Sequence, residues 1–245
     1  MFNVFLIGLL STSSLVIGGI IAYRFSLSKR TIGIVMGFGA GALISAVSYE
    51  LIFEAVSTAK RSGFPAFGLF AGALTFFLAD YVISRFNPSK LRTAVSTGHS
   101  ALIVPMVLAI ILDGIPESIV IGLGISEYGT ASTAMLVAIF ISNLPEAIAG
   151  STGMKESGWS STKIILFWFS IALFCAFSCV LGFTLFSEAS ARWMAFINSF
   201  AGGAILMMLA NSMIPEAYKN GGKLAGVFTI LGFFTSVAIV VFENS

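Results

Sequence analysis

Residues 108–124 read LAIILDGIPESIVIGLG, an apolar run of several helical turns with Asp113, Pro116 and Glu117 set in its middle. Residues 139–151, IFISNLPEAIAGS, repeat the arrangement 29 positions later. With Pro116 laid on Pro145, Glu117 falls on Glu146, Asp113 on Ser142 and Gly114 on Asn143. Two neighbouring apolar segments thus each carry Pro-Glu, with oxygen-bearing side chains one turn upstream. The functional question is what those oxygens hold.

The composition says which solvent surrounds them. Of 245 residues, 57% are hydrophobic and 10% charged, and the mean hydropathy is +0.99. Repeated apolar runs of about 20 residues are the signature of a polytopic helical membrane protein. A net charge of +2 argues against a nucleic-acid partner. The N-terminus lacks a basic n-region and a small-residue cleavage site, so it reads as a first span. Cys175 and Cys179, spaced i, i+4 in one apolar run, read as small packing residues on one helix face.

Eight spans are expected, at about 2–23, 32–57, 65–85, 98–124, 130–153, 162–186, 193–216 and 223–242, forming one polytopic domain over 1–245. Connections 1–2, 3–4, 5–6 and 7–8 hold 10 of the 13 basic residues, leaving Lys60, Arg61 and Arg192 on the opposite side. That excess marks the first side as cytoplasmic, with both termini outside and the inner (plasma) membrane as the location.

Within the spans, Gly33, Gly37 and Gly41 make a flat groove for another helix, inside the bundle or at a dimer contact. Glu50 and Glu54 lie toward the outer end of span two, Glu50 one turn deeper and lining a cavity. Asp80 reads as snorkelling or pairing with nearby Arg85. His99, the lone histidine, reads as interfacial. Phe38-Gly39-Ala40-Gly41-Ala42 aligns with Phe200-Ala201-Gly202-Gly203-Ala204 at a separation of 162, which also lays Arg30 on Arg192 and Glu54 on Glu216. Spans two and seven cross in opposite directions, as do four and five. The expected architecture is therefore all-α, with an inverted repeat of spans 1–3 against 6–8 and spans 4–5 at the pseudo-two-fold. Repeats with paired helices broken at mid-membrane are the build of secondary transporters.

A carboxylate at the bilayer centre costs about 2.5–3.5 kcal/mol on insertion scales. Asp113 and Glu117 share a helix face, and with Glu146 they would repel one another. A bound divalent cation removes both penalties; protonation is the other escape. Pro116 and Pro145 leave the carbonyls of Leu112 and Ile141 without their usual donors. Asp113, Glu117, Ser142, Asn143 and Glu146 then make an oxygen-rich set suited to harder cations.

These stretches resemble spans four and five of the ZIP (Zrt-, Irt-like) family of divalent-metal transporters. The carriers of the likeness are Asp113-Gly114-Ile115-Pro116-Glu117-Ser118, Ser142-Asn143-Leu144-Pro145-Glu146 and the Gly-rich repeat ending in Ile214-Pro215-Glu216-Ala217. Asp113 stands where the family has a ligand histidine, and Gly114 where it has asparagine. Span six has no acid between Lys163 and Glu188, and the histidine-rich connection between spans three and four is missing. The resemblance implies transport of zinc, manganese or iron toward the cytoplasm through one histidine-free site, by a homodimeric scaffold with no prosthetic group and no enzyme activity. Asp113, Glu117 and Glu146 would be the main ligands, with Ser142 and Asn143 secondary and Glu50 and Asn211 along the route. Two alternatives use the same acids differently: a proton-coupled carrier of a small organic solute, with the acids as a relay, and an intramembrane aspartyl protease. For the latter, the only two aspartates, Asp80 and Asp113, lack Tyr-Asp and Gly-x-Gly-Asp contexts.

Overall fold

The structure, a computed structural model, describes residues 1–59, 62–85 and 103–243, and among these all regular structure is helical. Eight helices follow in order: α1 Phe2–Arg24, α2 Lys29–Thr58, α3 Phe64–Arg85, α4 Ile103–Tyr128, α5 Thr133–Glu156, α6 Ser161–Leu185, α7 Ala191–Gly221 and α8 Lys223–Glu243. Seven are long and apolar enough to cross a membrane, and α4, at 26 residues, has the length of an eighth. The multi-pass character expected from composition is thus present. The fourth helix runs on to Tyr128, which brings Glu127 into it. Lys60, Arg61, Lys90, Arg92 and His99 lie outside the described residues.

Local chemistry sets the helix limits. Ser28, Ser132 and Ser160 cap α2, α5 and α6 by accepting from the backbone N–H of Thr31, Met135 and Lys163, which satisfies donors that have no partner inside the helix. Gly129, Gly158 and Gly222 follow α4, α5 and α7 at φ of 77°, 82° and 62°, a conformation that favours glycine as a helix stop.

Two bonds fix how the ends face. Lys155 Nζ donates to the Tyr23 carbonyl at 3.3 Å, so α1 and α5 finish together. The Thr133 N–H donates to Glu243 Oε1 at 2.7 Å, so α8 finishes where α5 begins. Both described chain ends therefore lie at one end of the bundle, called here the terminal end.

Close backbone approach holds the bundle. Long seams run between α2 and α8 and between α3 and α7. The glycine groove of α2 is internal: Gly33 faces Asn220 and Gly221, Gly37 faces Ala225, and Gly41 meets the Thr229 carbonyl. The seam between α3 and α7 is built alike, with Gly72 on the Phe200 carbonyl and Gly203 on the Leu69 carbonyl. Without lipid-excluding water to drive association, such approach gains dispersion contacts that larger side chains would forbid. On the other flank α1 lies against both α5 and α6. There the Trp168 ring is wholly buried against Gly19 and Gly150, and its Nε1 donates to Ser151 Oγ at 2.7 Å.

The backbone irregularities are not where the prolines are. Helices α4 and α5 run unbroken through Pro116 and Pro145. A proline removes one donor and kinks a helix, yet the flanking bonds carry the helix through. The irregular turns are instead π segments, Val47–Phe53 in α2 and Leu209–Met213 in α7. Wide turns of this kind collect at functional sites.

The seams predict a paired outcome. Gly232→Ala would press a methyl onto the Phe38 carbonyl and should cost about 1–3 kcal/mol in reversible unfolding in detergent. Gly226→Ala, with nothing within 4 Å of the new methyl, should be neutral or stabilising, by up to about 1 kcal/mol.

Candidate functional site

The residues singled out in sequence meet where α4 faces α5. Helical spacing sets Asp113 and Glu117 one turn apart on α4, and Ser142, Asn143 and Glu146 occupy one turn of α5. Glu117 is 2% exposed, and its Oε2 has no hydrogen-bond partner. The Asn143 side chain, 5% exposed, lies beside Glu117 from the facing helix. Ser142 is fully buried and donates to the Ile139 carbonyl at 3.0 Å, which leaves its oxygen lone pairs free. Its backbone packs on Gly39 of α2, where a Cβ would stand 2.8 Å from the Ser142 Cα.

Asp113 and Glu146 are half-buried. Among the described residues, the charged groups that act on them are acidic. Glu146 feels Asp113, Glu117 and, from α7, Glu216. Asp113 feels Asp80 of α3, and Arg85 sits over the Tyr81 ring at 4.8 Å. Asp80 and Glu216 both come from the halves of α3 and α7 away from the terminal end.

Among the described residues, no three His, Cys, Asp or Glu side chains converge closely enough to hold one metal ion together. Two like charges at 4 Å repel by about 4 kcal/mol at an effective dielectric of 20, so carboxylates facing only other carboxylates stand apart. The arrangement is a loose acidic cluster, with the amide of Asn143 and the hydroxyl of Ser142 beside it.

Toward the terminal end, two cavities continue from the cluster. A narrow one of about 30 Å³ is lined by Val120, Ile121 and Gly124 of α4, by Met135 of α5, and by Glu50, Glu127 and Asn198. Val120, Ile121 and Gly124 are the turns of α4 that follow Glu117. A wider one of about 470 Å³ is lined by Tyr49, Glu50, Phe53, Glu54, Tyr128 and Glu243 among others. Glu50 borders both, as its depth on α2 suggests. Asn211 is exposed in the second π segment and lines neither.

Two participants had not been picked out in sequence. Glu127 accepts from Asn198 Nδ2 at 3.0 Å, joining α4 to α7. Glu243 accepts from the N–H groups of Thr133 and Ala134, at 2.7 and 3.4 Å, and so caps the start of α5. A carboxylate is well placed there, against unpaired donors and the positive end of the helix dipole. Glu127 could have been found as the next acid along α4; nothing local points Glu243 at residue 133.

Compared with known proteins, the chain matches no protein-family model, and no curated protein matches it.

The Glu243 cap carries its own expectation. In Glu243→Ala, amide hydrogen exchange at Thr133 and Ala134 should accelerate by roughly fivefold, matching loss of a helix cap worth about 1 kcal/mol. Exchange in the middle of α6 should not change.

Proposed function

We propose that this chain moves a divalent cation across the membrane, with Asp113, Glu117 and Glu146 as its principal ligands and Ser142 and Asn143 as secondary ones. The observation that carries the reading is the Glu117 carboxylate. It is buried at the middle of an apolar bundle, one oxygen has no partner, and the charges around it are acidic. A carboxylate so placed is destabilised until a cation or a proton joins it. A cation is the better fit because the loose cluster offers several carboxylates with an amide and a hydroxyl oxygen beside them, and hard divalent ions take six or more oxygens, water included. The open spacing of the acids suits a transported ion, which must draw its ligands in and then release them.

The route has support at both ends. Glu54, Glu50 and Glu127 lead from the terminal end toward Glu117, and Asp80 and Glu216 continue beyond Asp113 and Glu146. On the charge bias of the connections, the terminal end is outside and transport runs toward the cytoplasm.

An inverted repeat of helices 1–3 on 6–8 fits the seams. The π segments begin at Val47 and Leu209, 162 positions apart, the separation at which the glycine motifs align. At the same separation Gly41 on Thr229 is answered by Gly203 on Leu69, and Phe38 against Gly232 by Phe200 against Gly72. Packing of α1 on α5 is answered by α6 on α4. Together with the two Pro-Glu motifs, this is the build of a ZIP-like carrier, with zinc, manganese or iron as the candidate substrates and a homodimer as its assembly.

The failure of three acids to converge favours a second reading, in which the same carboxyls relay protons for a small organic solute. Vesicle uptake separates the two. With manganese, iron or zinc supplied to proteoliposomes, Glu117→Ala and Glu146→Ala should each lower uptake at least about tenfold, the loss expected when a site ligand is removed. Asn143→Ala should lower it less. Uptake at the wild-type rate in both glutamate variants, or no stabilisation of the purified protein by any divalent ion, would remove the cation reading and leave the proton relay.

A further inference from the structure

The narrow cavity past Glu117 is bordered by a bond between two helices. Glu127 Oε2, in the last turn of α4, accepts from Asn198 Nδ2 of α7 at 3.0 Å, and both residues line the cavity. Along α4 the order is Glu117, then the narrow cavity over residues 120–128, then the wide one from Tyr128 onward. The two cavities share Glu50, Tyr128, Ala131 and Ser132 in their walls. The wide one, about 470 Å³, has room for a divalent ion with its shell of about six waters. The narrow one, about 30 Å³, has room for a water or two.

Two observations mark this constriction as a joint that opens. Asn198 is 4% exposed, so its amide would be orphaned on losing Glu127 unless water came in. Gly124 lines the same cavity, and nothing lies within 4 Å of the place its Cβ would take. Packing therefore leaves space beside α4 at the narrowest part of the route. Helix α5 is tied at the same end, through Glu243 of α8, which lines the wide cavity. Each of the two site helices is thus held there to another helix through a glutamate.

We propose that the Glu127–Asn198 bond is a latch that shuts the terminal-side passage to the Glu117 site. The inference rests on the cation reading for the cargo and adds how the site is closed from one face. With the bond made, α4 and α7 leave room for water alone. Parting them exchanges the bond for water on both partners, at little enthalpic cost, and widens the gap beside Gly124 to admit a hydrated ion.

The test is the labelling rate of Val120→Cys by a positively charged, membrane-impermeant methanethiosulfonate, in the full-length protein in nanodiscs. Val120 lines the deep part of the narrow cavity and is 3% exposed. Cys175 and Cys179 are buried, and protein without the substitution supplies the background. With the latch intact, Val120→Cys should label far more slowly than Thr130→Cys in the wall of the wide cavity. Asn198→Ala and Glu127→Ala should each accelerate labelling at residue 120 about tenfold, the change expected on losing a hydrogen bond to a charged group. Glu127→Gln keeps an acceptor for the Asn198 amide and should leave the rate slow. Adding Gly124→Leu to Asn198→Ala should restore the slow rate by filling the opened gap, whereas a bundle merely loosened would stay reactive. Thr130→Cys should label alike throughout. Val120→Cys labelling as fast as Thr130→Cys with the latch intact overturns the proposal. So does an unchanged rate in the alanine variants, a fast rate in Glu127→Gln, or a fast rate that Gly124→Leu does not reverse. Labelling needs no transported ion, so failure of the cation reading shows separately, as Mn²⁺ uptake that is indifferent to Glu117→Ala.

Discussion

A carboxylate inside an apolar bundle must have company, and Glu117 governs the rest of this molecule because it has so little. Its Oε2 has no hydrogen-bond partner. Among the described residues the charge that acts on it is that of Asp113, of its own sign. Several kilocalories per mole of solvation have been given up there, far more than any single packing defect in the bundle would cost. The fold must therefore supply the difference through the rest of its contacts, and a partner that neutralises the group recovers it. The surrounding features follow from that demand. Gly39 lets α2 press on Ser142 beside the acid, and a narrow cavity opens past Val120 and Gly124, the turns of α4 that follow it.

The supply is found in the glycine seams. Helices α2 with α8 and α3 with α7 pack backbone to backbone, at positions where a methyl group could not be inserted. Dispersion falls steeply with separation, so contact at this range is the strongest that apolar helices can make. Around α4 and α5 the packing is different in kind. Helices α4 and α5 have little contact with each other and are held mainly by α6, α1 and α2. Polar side chains between them take the place of interlocked apolar ones. Stiff seams on one side and a polar, sparsely joined pair on the other are what a molecule needs if two elements are to shift while the remainder holds its shape.

Much of this was legible before any coordinates. Length and hydropathy alone define the eight helices, since an apolar run of about 20 residues has few other uses. The Pro-Glu pair is visible because one helix face repeats at short range, and the helix geometry then dictates which side chains meet. The glycine groove of α2 is legible as a groove, though its occupant, α8, is not. Two things escaped. The π segments in VSYELIF and LANSM contain neither proline nor glycine to mark them, so only their matching positions in two antiparallel helices betray them. Glu243 meets residue 133 across 110 positions, a contact made by tertiary packing and by no local pattern.

The unequal packing of related helices bears on how a cation would pass. If helices 1–3 and 6–8 are two inverted copies, α2 on α5 is the counterpart of α7 on α4. Those two contacts differ: α5 lies broadly on α2, whereas α4 touches α7 over a shorter length. Two copies of one structure in unequal arrangements are what alternating access requires, because exchanging the arrangements carries the site from one face to the other. The acids of the route fall on the two sides of this asymmetry, Glu50 and Glu127 toward the terminal end and Asp80 and Glu216 toward the other. An ion held by Glu117 and Glu146 would face one pair of acids in the first arrangement and the other pair in the second. The carboxylate left uncovered inside the bundle would make an empty site costly in both, so the same unmet demand that would bind an ion would also bias such a carrier toward completing its cycle loaded.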